Sequence, residues 1–125
     1  MVLFSACKKE KVTECDEHTV TACSEDPAKT NIRIRNNSDY NFCNLVLDPY
    51  FQKVNCGIIT KSTYTCYRSF DKAYSYAYIQ FYVGEKEFTF QPIDYVGETE
   101  LGPGNFTYAI SITDFEKGQI SLVLE

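Results

Sequence analysis

Hydrophobic and polar residues alternate along most of the chain from Asn31 onward, and a period of two is that of a strand with one buried face. Ile32 and Ile34, for example, alternate with Arg33 and Arg35 before a turn-forming run of Asn, Ser and Asp residues. Further strands are predicted at about Phe42–Leu47, Val54–Ile59, Thr63–Phe70, Ala73–Val83, Lys86–Gln91, Asn105–Thr113 and Gln119–Leu124. Turn residues separate these short strands, without a helical stretch between them. The pattern therefore predicts an all-β fold, an immunoglobulin-like antiparallel β-sandwich of about seven to eight strands over residues 31–125.

Two of the predicted turns also fix how their flanking strands pair. Gly84 and Glu85 fit a two-residue type II′ turn, in which glycine takes the first central position. A second hairpin turns around Glu116, with Gly118 in its loop. The predicted pairs are Ile79–Phe90, Phe81–Phe88, Ile110–Leu122 and Ile112–Ile120 on apolar faces, and Gln80–Thr89 and Tyr82–Glu87 on a polar face. Because a slip of one residue would turn the apolar side chains into water, each register is predicted to be fixed.

Four tyrosines, Tyr74, Tyr76, Tyr78 and Tyr82, fall on one side of the long strand predicted at Ala73–Val83. If the other side of this strand faces the core, the tyrosines form an outward stripe that can stack on sugars or on a partner protein. The chain contains no Trp, the preferred platform for sugars, which counts against a glycan site. Tyrosine is also a common strand residue, so packing under a neighbouring loop is the favoured interpretation.

The chain contains six cysteines among 125 residues, a density typical of proteins in oxidising compartments. It has no CxxC pair, and His18 is its single histidine. Structural zinc sites need several Cys and His ligands at characteristic spacings. No metal site is therefore predicted, and the cysteines are interpreted as a disulfide framework.

The predicted strands bring three cysteines close together. A turn centred on Lys61 places Cys56 opposite Cys66, and a loop after residue 47 places Cys43 opposite Cys56. Directly opposed residues have the short Cα separation that a disulfide needs. The favoured bridges are Cys56–Cys66 and Cys15–Cys23, with Cys43 left free or bonded to one of the N-terminal cysteines.

At the N-terminus, a short apolar stretch is followed by two small residues, Ser5 and Ala6, and then by Cys7. This pattern resembles the lipobox of bacterial lipoproteins. The resemblance implies cleavage before Cys7 and a diacylglycerol on its thiol, so that residues 1–7 are the remnant of a signal peptide. Since a signal peptide has an apolar region of about 7–15 residues after a basic segment, we expect the exported form to carry an upstream extension.

Residues 8–30 are polar, lack hydrophobic periodicity and include Pro27 near their end. Such a composition does not bury enough apolar surface to offset the entropy of ordering. We therefore predict a flexible polar tether between the lipid on Cys7 and the β-sandwich domain of residues 31–125. The long connection from Pro92 to Gly104 is interpreted as a crossover between two sheets rather than as a binding loop.

Three stretches, FDKAYSYAY at 70–78, QPIDYVGET at 91–99 and LGPGNFTY at 101–108, are similar to a group of small uncharacterised lipoproteins of Bacteroidetes-type bacteria. The resemblance covers about residues 31–124. It implies a lipid-anchored β domain of the cell envelope, attached to the outer membrane and facing either the periplasm or the cell surface. It implies no known activity.

Charge and motifs exclude several other classes of function. The net charge is −5 and the Lys and Arg residues are scattered, so nucleic acid is not an expected partner. The sequence has no nucleophile elbow, Walker loop, HExxH motif or glycine-rich dinucleotide turn, so we predict neither an enzyme nor a cofactor. The expected function is a lipid-anchored envelope protein with a non-catalytic interaction or accessory domain for an unknown protein or glycan. The alternative is a carbohydrate-binding module that uses the tyrosine stripe.

Overall fold

The structure is a computed structural model that describes residue 15 and residues 18–92 and 98–125. These residues form eight strands and no helix. The strands are β1 (Thr30–Asn36), β2 (Cys43–Asp48), β3 (Val54–Asn55), β4 (Arg68–Phe70), β5 (Tyr78–Val83), β6 (Lys86–Phe90), β7 (Gly104–Asp114) and β8 (Gln119–Leu124).

The strands form two four-stranded sheets that pack face to face. The first sheet has the order β4-β1-β7-β8 and the second has the order β3-β2-β5-β6. Every neighbouring pair is antiparallel except β1 and β7, which run parallel from Thr30↔Gly104 to Asn36↔Ile110. The predicted all-β sandwich is confirmed, and the parallel pair is a feature that alternation along the chain did not predict. The connection between β6 and β7 passes from the second sheet to the first.

Both predicted hairpins are confirmed, with the predicted registers. The observed pairs include Ile79↔Phe90, Gln80↔Thr89, Phe81↔Phe88, Tyr82↔Glu87, Ile110↔Leu122 and Ile112↔Ile120. Gly84 has a φ of 60°, as the first central position of a type II′ turn requires. Local turn chemistry and one dry face were sufficient to set these registers.

The core lies between the two sheets and is built around stacked aromatic rings. Phe42 and Phe81 stack with their centroids 3.9 Å apart, and Phe81 stacks on Phe88 at 5.3 Å. Phe115 contacts Phe88 edge-on at 5.3 Å. Tyr108, from the first sheet, is fully buried, and its hydroxyl donates a hydrogen bond to the backbone oxygen of Tyr74. Apolar side chains of both sheets thus exclude water from one continuous interior.

Three predicted strands are shorter than expected. The strand predicted at Ala73–Val83 begins at Tyr78, because the preceding segment bonds elsewhere: Leu101 N donates to Ala73 O at 2.8 Å. The strand predicted from Val54 ends at Asn55, shortly before Gly57 adopts a φ of 77°. The strand predicted at Thr63–Phe70 begins only at Arg68. Before it, the Thr65 side chain takes the place of a backbone acceptor, since Thr65 Oγ1 accepts a hydrogen bond from Ile34 N at 2.9 Å. The edge strands β3 and β4 are consequently very short.

Candidate functional site

Two disulfides join the N-terminal segment to the sandwich, and their pairing differs from the predicted one. Cys15 bonds to Cys43 and Cys23 bonds to Cys66, while Cys56 is free and buried. The predicted bridges Cys56–Cys66 and Cys15–Cys23 are wrong. The alternative in which Cys43 bonds to an N-terminal cysteine is the arrangement found.

The backbone explains why Cys56 has no disulfide partner. Its N–H donates to Leu45 O at 2.7 Å, so Leu45 and not Cys43 lies across from it. The Cys56 side chain points into the core and is 7% exposed, whereas Cys66 is exposed. Cys56 directly follows β3 of the second sheet and Cys66 comes shortly before β4 of the first, so the two cysteines are not the directly opposed hairpin pair that a disulfide between them was expected to join.

Residues 18–29, which we call the strap, lie along one side of the sandwich. Thr21 N donates to Asn55 O at 2.9 Å, and Asn55 N donates to Thr21 Oγ1 at 3.0 Å. Further along, Ser24 N donates to Tyr67 O at 3.0 Å. The predicted flexible tether of residues 8–30 is therefore wrong for residues 18–29. The two disulfides and these backbone bonds offset an ordering entropy that composition alone does not.

The strap lies between β3 and β4, which are edge strands of the two sheets, and it covers the buried guanidinium of Arg68. Arg68 is only 4% exposed, and its Nε and Nη2 donate to Thr21 O at 2.9 and 2.8 Å. The third guanidinium nitrogen, Nη1, has no hydrogen-bond partner among the described residues. Burial raises the pKa of the nearby Cys56 thiol to about 11, although the positive charge of Arg68 opposes this shift. The thiol is therefore protonated and unreactive near neutral pH.

The strap runs from one end of the sandwich to the other. Cys15 is bonded to Cys43 at the start of β2, which pairs with Tyr82 next to the β5–β6 turn. At the far end of the strap, Asp26 N donates to the side chain of Asn31 at 2.9 Å, near the start of β1. Cys15 thus lies at the end of the sandwich that carries the β5–β6 turn. Cys7 itself lies outside the described residues.

The opposite end of the sandwich carries an exposed aromatic loop after β2. Phe51 is 88% exposed and has a φ of 53°, and its ring lies 4.7 Å from that of Tyr50. Asp48 Oδ1 accepts from Gln52 N at 3.0 Å, and Gln52 Oε1 accepts from Asp71 N at 3.1 Å. These bonds hold the loop in a conformation that costs a non-glycine residue free energy. Phe51 could not be identified from the alternation of polar and apolar residues, because alternation gives no signal for a positive φ.

The four tyrosines of the predicted stripe are not brought together on one strand. Tyr78 and Tyr82 lie on β5, but Tyr74 and Tyr76 precede it. Tyr74 is only 8% exposed, and its ring contacts Tyr50 edge-on at 5.7 Å. Tyr76 is half-buried, and Tyr82 is exposed. The predicted stripe is therefore wrong as a continuous exposed surface, because the expected long strand begins only at Tyr78.

Within residues 15, 18–92 and 98–125, no group of three or more His, Cys, Asp or Glu side chains is placed to hold a metal ion. Within the same ranges, no helix has the length and apolarity needed to cross a membrane.

Comparisons with known proteins bear on the fold. No protein-family model matches the chain, and no curated protein matches it. The solved structures that it resembles include an NMR structure of a protein from Eubacterium rectale, with a TM-score of 0.57 and 11% sequence identity. The match covers 82% of this chain and 94% of that one. At this identity the likeness bears on the fold alone.

Proposed function

We propose that this chain is a lipid-anchored protein of the bacterial cell envelope, attached through Cys7, whose β-sandwich is a non-catalytic interaction or accessory domain. The observation that carries the proposal is the pair of disulfides, Cys15–Cys43 and Cys23–Cys66. Disulfides of this kind persist in oxidising compartments, which is where a lipobox-bearing chain is delivered. The sequence also lacks the motifs of the common enzyme classes.

The disulfides also define how the domain would be held at a membrane. Cys15 follows Cys7 by eight residues, which span at most about 28 Å when fully extended. Beyond Cys15 the chain is fastened to the sandwich, so the tether is short and the strap belongs to the domain. An anchored domain would sit close to the bilayer, with the β5–β6 turn on the membrane side and the Phe51 loop facing away.

The anchor is tested by expressing the gene with its native upstream region in a bacterium that processes lipoproteins. We expect the protein to incorporate an alkyne-labelled fatty acid and to fractionate with membranes. Cys7→Ser is expected to abolish both properties and to release a folded, soluble protein. Cys56→Ser is the matched control, since it removes the other unpaired cysteine and is expected to leave labelling and fractionation unchanged. Membrane association that persists in the Cys7→Ser variant would overturn the proposal.

A further inference from the structure

The outer face of the first sheet carries an arginine that packs against two tyrosine rings. The Cζ of Arg33, on β1, lies 3.9 Å from the ring centroid of Tyr64 and 5.0 Å from that of Tyr67. On the other side, Arg33 Nε donates to Thr107 Oγ1, on β7, at 3.0 Å. We call these four residues the Arg33 cluster. Three neighbouring chain segments hold the guanidinium in place, so a ligand would meet a preorganised cation.

The charge of Arg33 is not neutralised within the described residues. Its neighbour Arg35, two positions further on the same face, donates to Glu125 Oε2 at 2.8 Å, but no described carboxylate lies within 4.0 Å of Arg33. The Nη1 and Nη2 groups of Arg33 make no hydrogen bond within the described part of the chain. Two donors of a charged fork therefore remain for an external acceptor.

The rings indicate what kind of acceptor fits. Tyr64 is 51% exposed, and the guanidinium lies over one face of its ring, 3.9 Å from the centroid, so solvent reaches the parts of Tyr64 that Arg33 does not cover. An aromatic surface of this kind packs against the C–H groups of a sugar ring, while a guanidinium fork pairs with a carboxylate through two parallel hydrogen bonds. We propose that the Arg33 cluster binds a uronic acid unit of an acidic polysaccharide, with the sugar ring against the face of Tyr64 that Arg33 leaves uncovered and its carboxylate on Arg33. The site does not include Tyr74, Tyr76, Tyr78 or Tyr82, and it does not depend on the anchor at Cys7.

The proposal is tested by titrating the disulfide-bonded chain with a galacturonate trimer and following backbone amides by NMR. We expect shifts concentrated at Arg33, Tyr64 and Thr107, and binding at least about tenfold weaker for the fully methyl-esterified trimer, which lacks the carboxylate charge. Absence of binding at about 10 mM galacturonate trimer would overturn the proposal, because a Kd above about 10 mM is weaker than that of most specific sites. Equal affinity for the esterified trimer would overturn it too.

Matched variants separate a built site from general charge. Arg33→Gln and Arg35→Gln remove the same charge from the same strand. We expect Arg33→Gln to weaken binding by about tenfold or more and Arg35→Gln by about twofold or less. Arg33→Lys keeps the charge without the planar fork and is expected to lose most of the affinity. Equal losses in the two glutamine variants would refute a site at Arg33.

The contribution of the ring has its own control. Tyr64→Ala is expected to weaken binding several-fold, whereas Tyr40→Ala, at an exposed tyrosine that packs on Phe115, is expected to leave it unchanged. A short poly-glutamate of equal charge should bind at least about tenfold more weakly than the galacturonate trimer, because it offers no sugar ring to Tyr64. If poly-glutamate bound as tightly, the cluster would be a site for acidic peptides and the proposal would be wrong.

Discussion

Removing the Cys23–Cys66 disulfide should both destabilise the domain and expose a buried thiol. The bridge closes a sequence separation of 43 residues. In the chain-entropy model, a loop of this length constrains the unfolded state by about 4 kcal/mol at 25 °C, and the separation of 28 residues at Cys15–Cys43 gives about 3.5 kcal/mol. We therefore expect a Cys23→Ala, Cys66→Ala variant to lose about 4 kcal/mol of unfolding free energy.

The local effect follows from what lies beneath the strap. Cys23 is two residues from Thr21, whose carbonyl accepts both hydrogen bonds from the buried Arg68. Without the bridge, only hydrogen bonds hold this part of the strap, and each contributes about 1 kcal/mol. When the strap opens, Arg68 regains water and Cys56 loses its cover. We expect alkylation of Cys56 under native conditions to become at least about tenfold faster than in the parent protein.

The assay uses a Cys7→Ser background, in which Cys56 is the single unpaired cysteine. Stability is measured by urea unfolding followed by far-UV circular dichroism, since the chain has no Trp. Cys56 alkylation is followed by intact mass spectrometry. The matched control is Cys15→Ala, Cys43→Ala, which loses a similar free energy but leaves Cys23 bonded beside Thr21. In that control Cys56 should react more slowly than in the variant without the Cys23–Cys66 bridge.

Two results would contradict this reasoning. A loss of less than about 1 kcal/mol in the variant without the Cys23–Cys66 bridge would mean that this disulfide does not constrain the unfolded chain as the model requires. A normal loss of stability with an unchanged rate of Cys56 alkylation would mean that the strap is not what shields the thiol.

Three further predictions concern pH, the core and the exposed loop. Burial raises the pKa of Cys56 from 9.0 to about 11, so the unfolded chain loses this proton at a lower pH than the folded protein. The unfolding free energy should therefore fall as the pH rises from 9 to 11, by up to about 3 kcal/mol. Urea unfolding from pH 7 to 10 should show this slope in the parent protein and not in Cys56→Ala, and parallel profiles would refute it. Phe88→Ala removes a ring stacked on Phe81 and should cost about 3–5 kcal/mol in urea unfolding, with less than about 1 kcal/mol pointing to a repacked core. Phe51→Gly, by contrast, should stabilise the protein by about 0.5–1 kcal/mol, because glycine adopts a positive φ without strain; thermal unfolding measures it, and a lower Tm would contradict the strain argument.

The sequence predicted those parts of the fold that depend on neighbouring residues. The register of Phe81 with Phe88 follows from a two-residue turn and a pleat with one dry side. The same alternation predicted a strand that was too long, because Tyr74 and Tyr76 continue the pattern before Tyr78. In the structure, their segment instead bonds to Leu101, in the connection between β6 and β7. Local periodicity carries no information on such a competing long-range contact.

The cysteine pairing could not be predicted for a related reason. The proposed opposition of Cys56 and Cys66 assumed an uninterrupted hairpin, but Gly57 and Ser62 both adopt positive φ and break the ladder between them. The partner of Cys66 comes from the N-terminal segment, whose polar composition gives no sign that it is ordered. The Arg33 cluster was equally hidden, since Arg33 and Tyr64 meet only when β1 lies beside the segment before β4.

The parallel pairing of β1 with β7 has a consequence for how the molecule assembles. A nascent chain emerges with its N-terminus first, so β1 cannot pair with β7 at the centre of the first sheet until the chain has been made beyond Gly104. Cys43 and Cys66 emerge well before that point, so both crosslinks can be oxidised while the sheet still lacks its middle. Contacts of such long sequence separation slow folding in general. Early oxidation would hold the N-terminal segment against β2 and against the segment before β4 during this delay, and would shorten the search for the last strands.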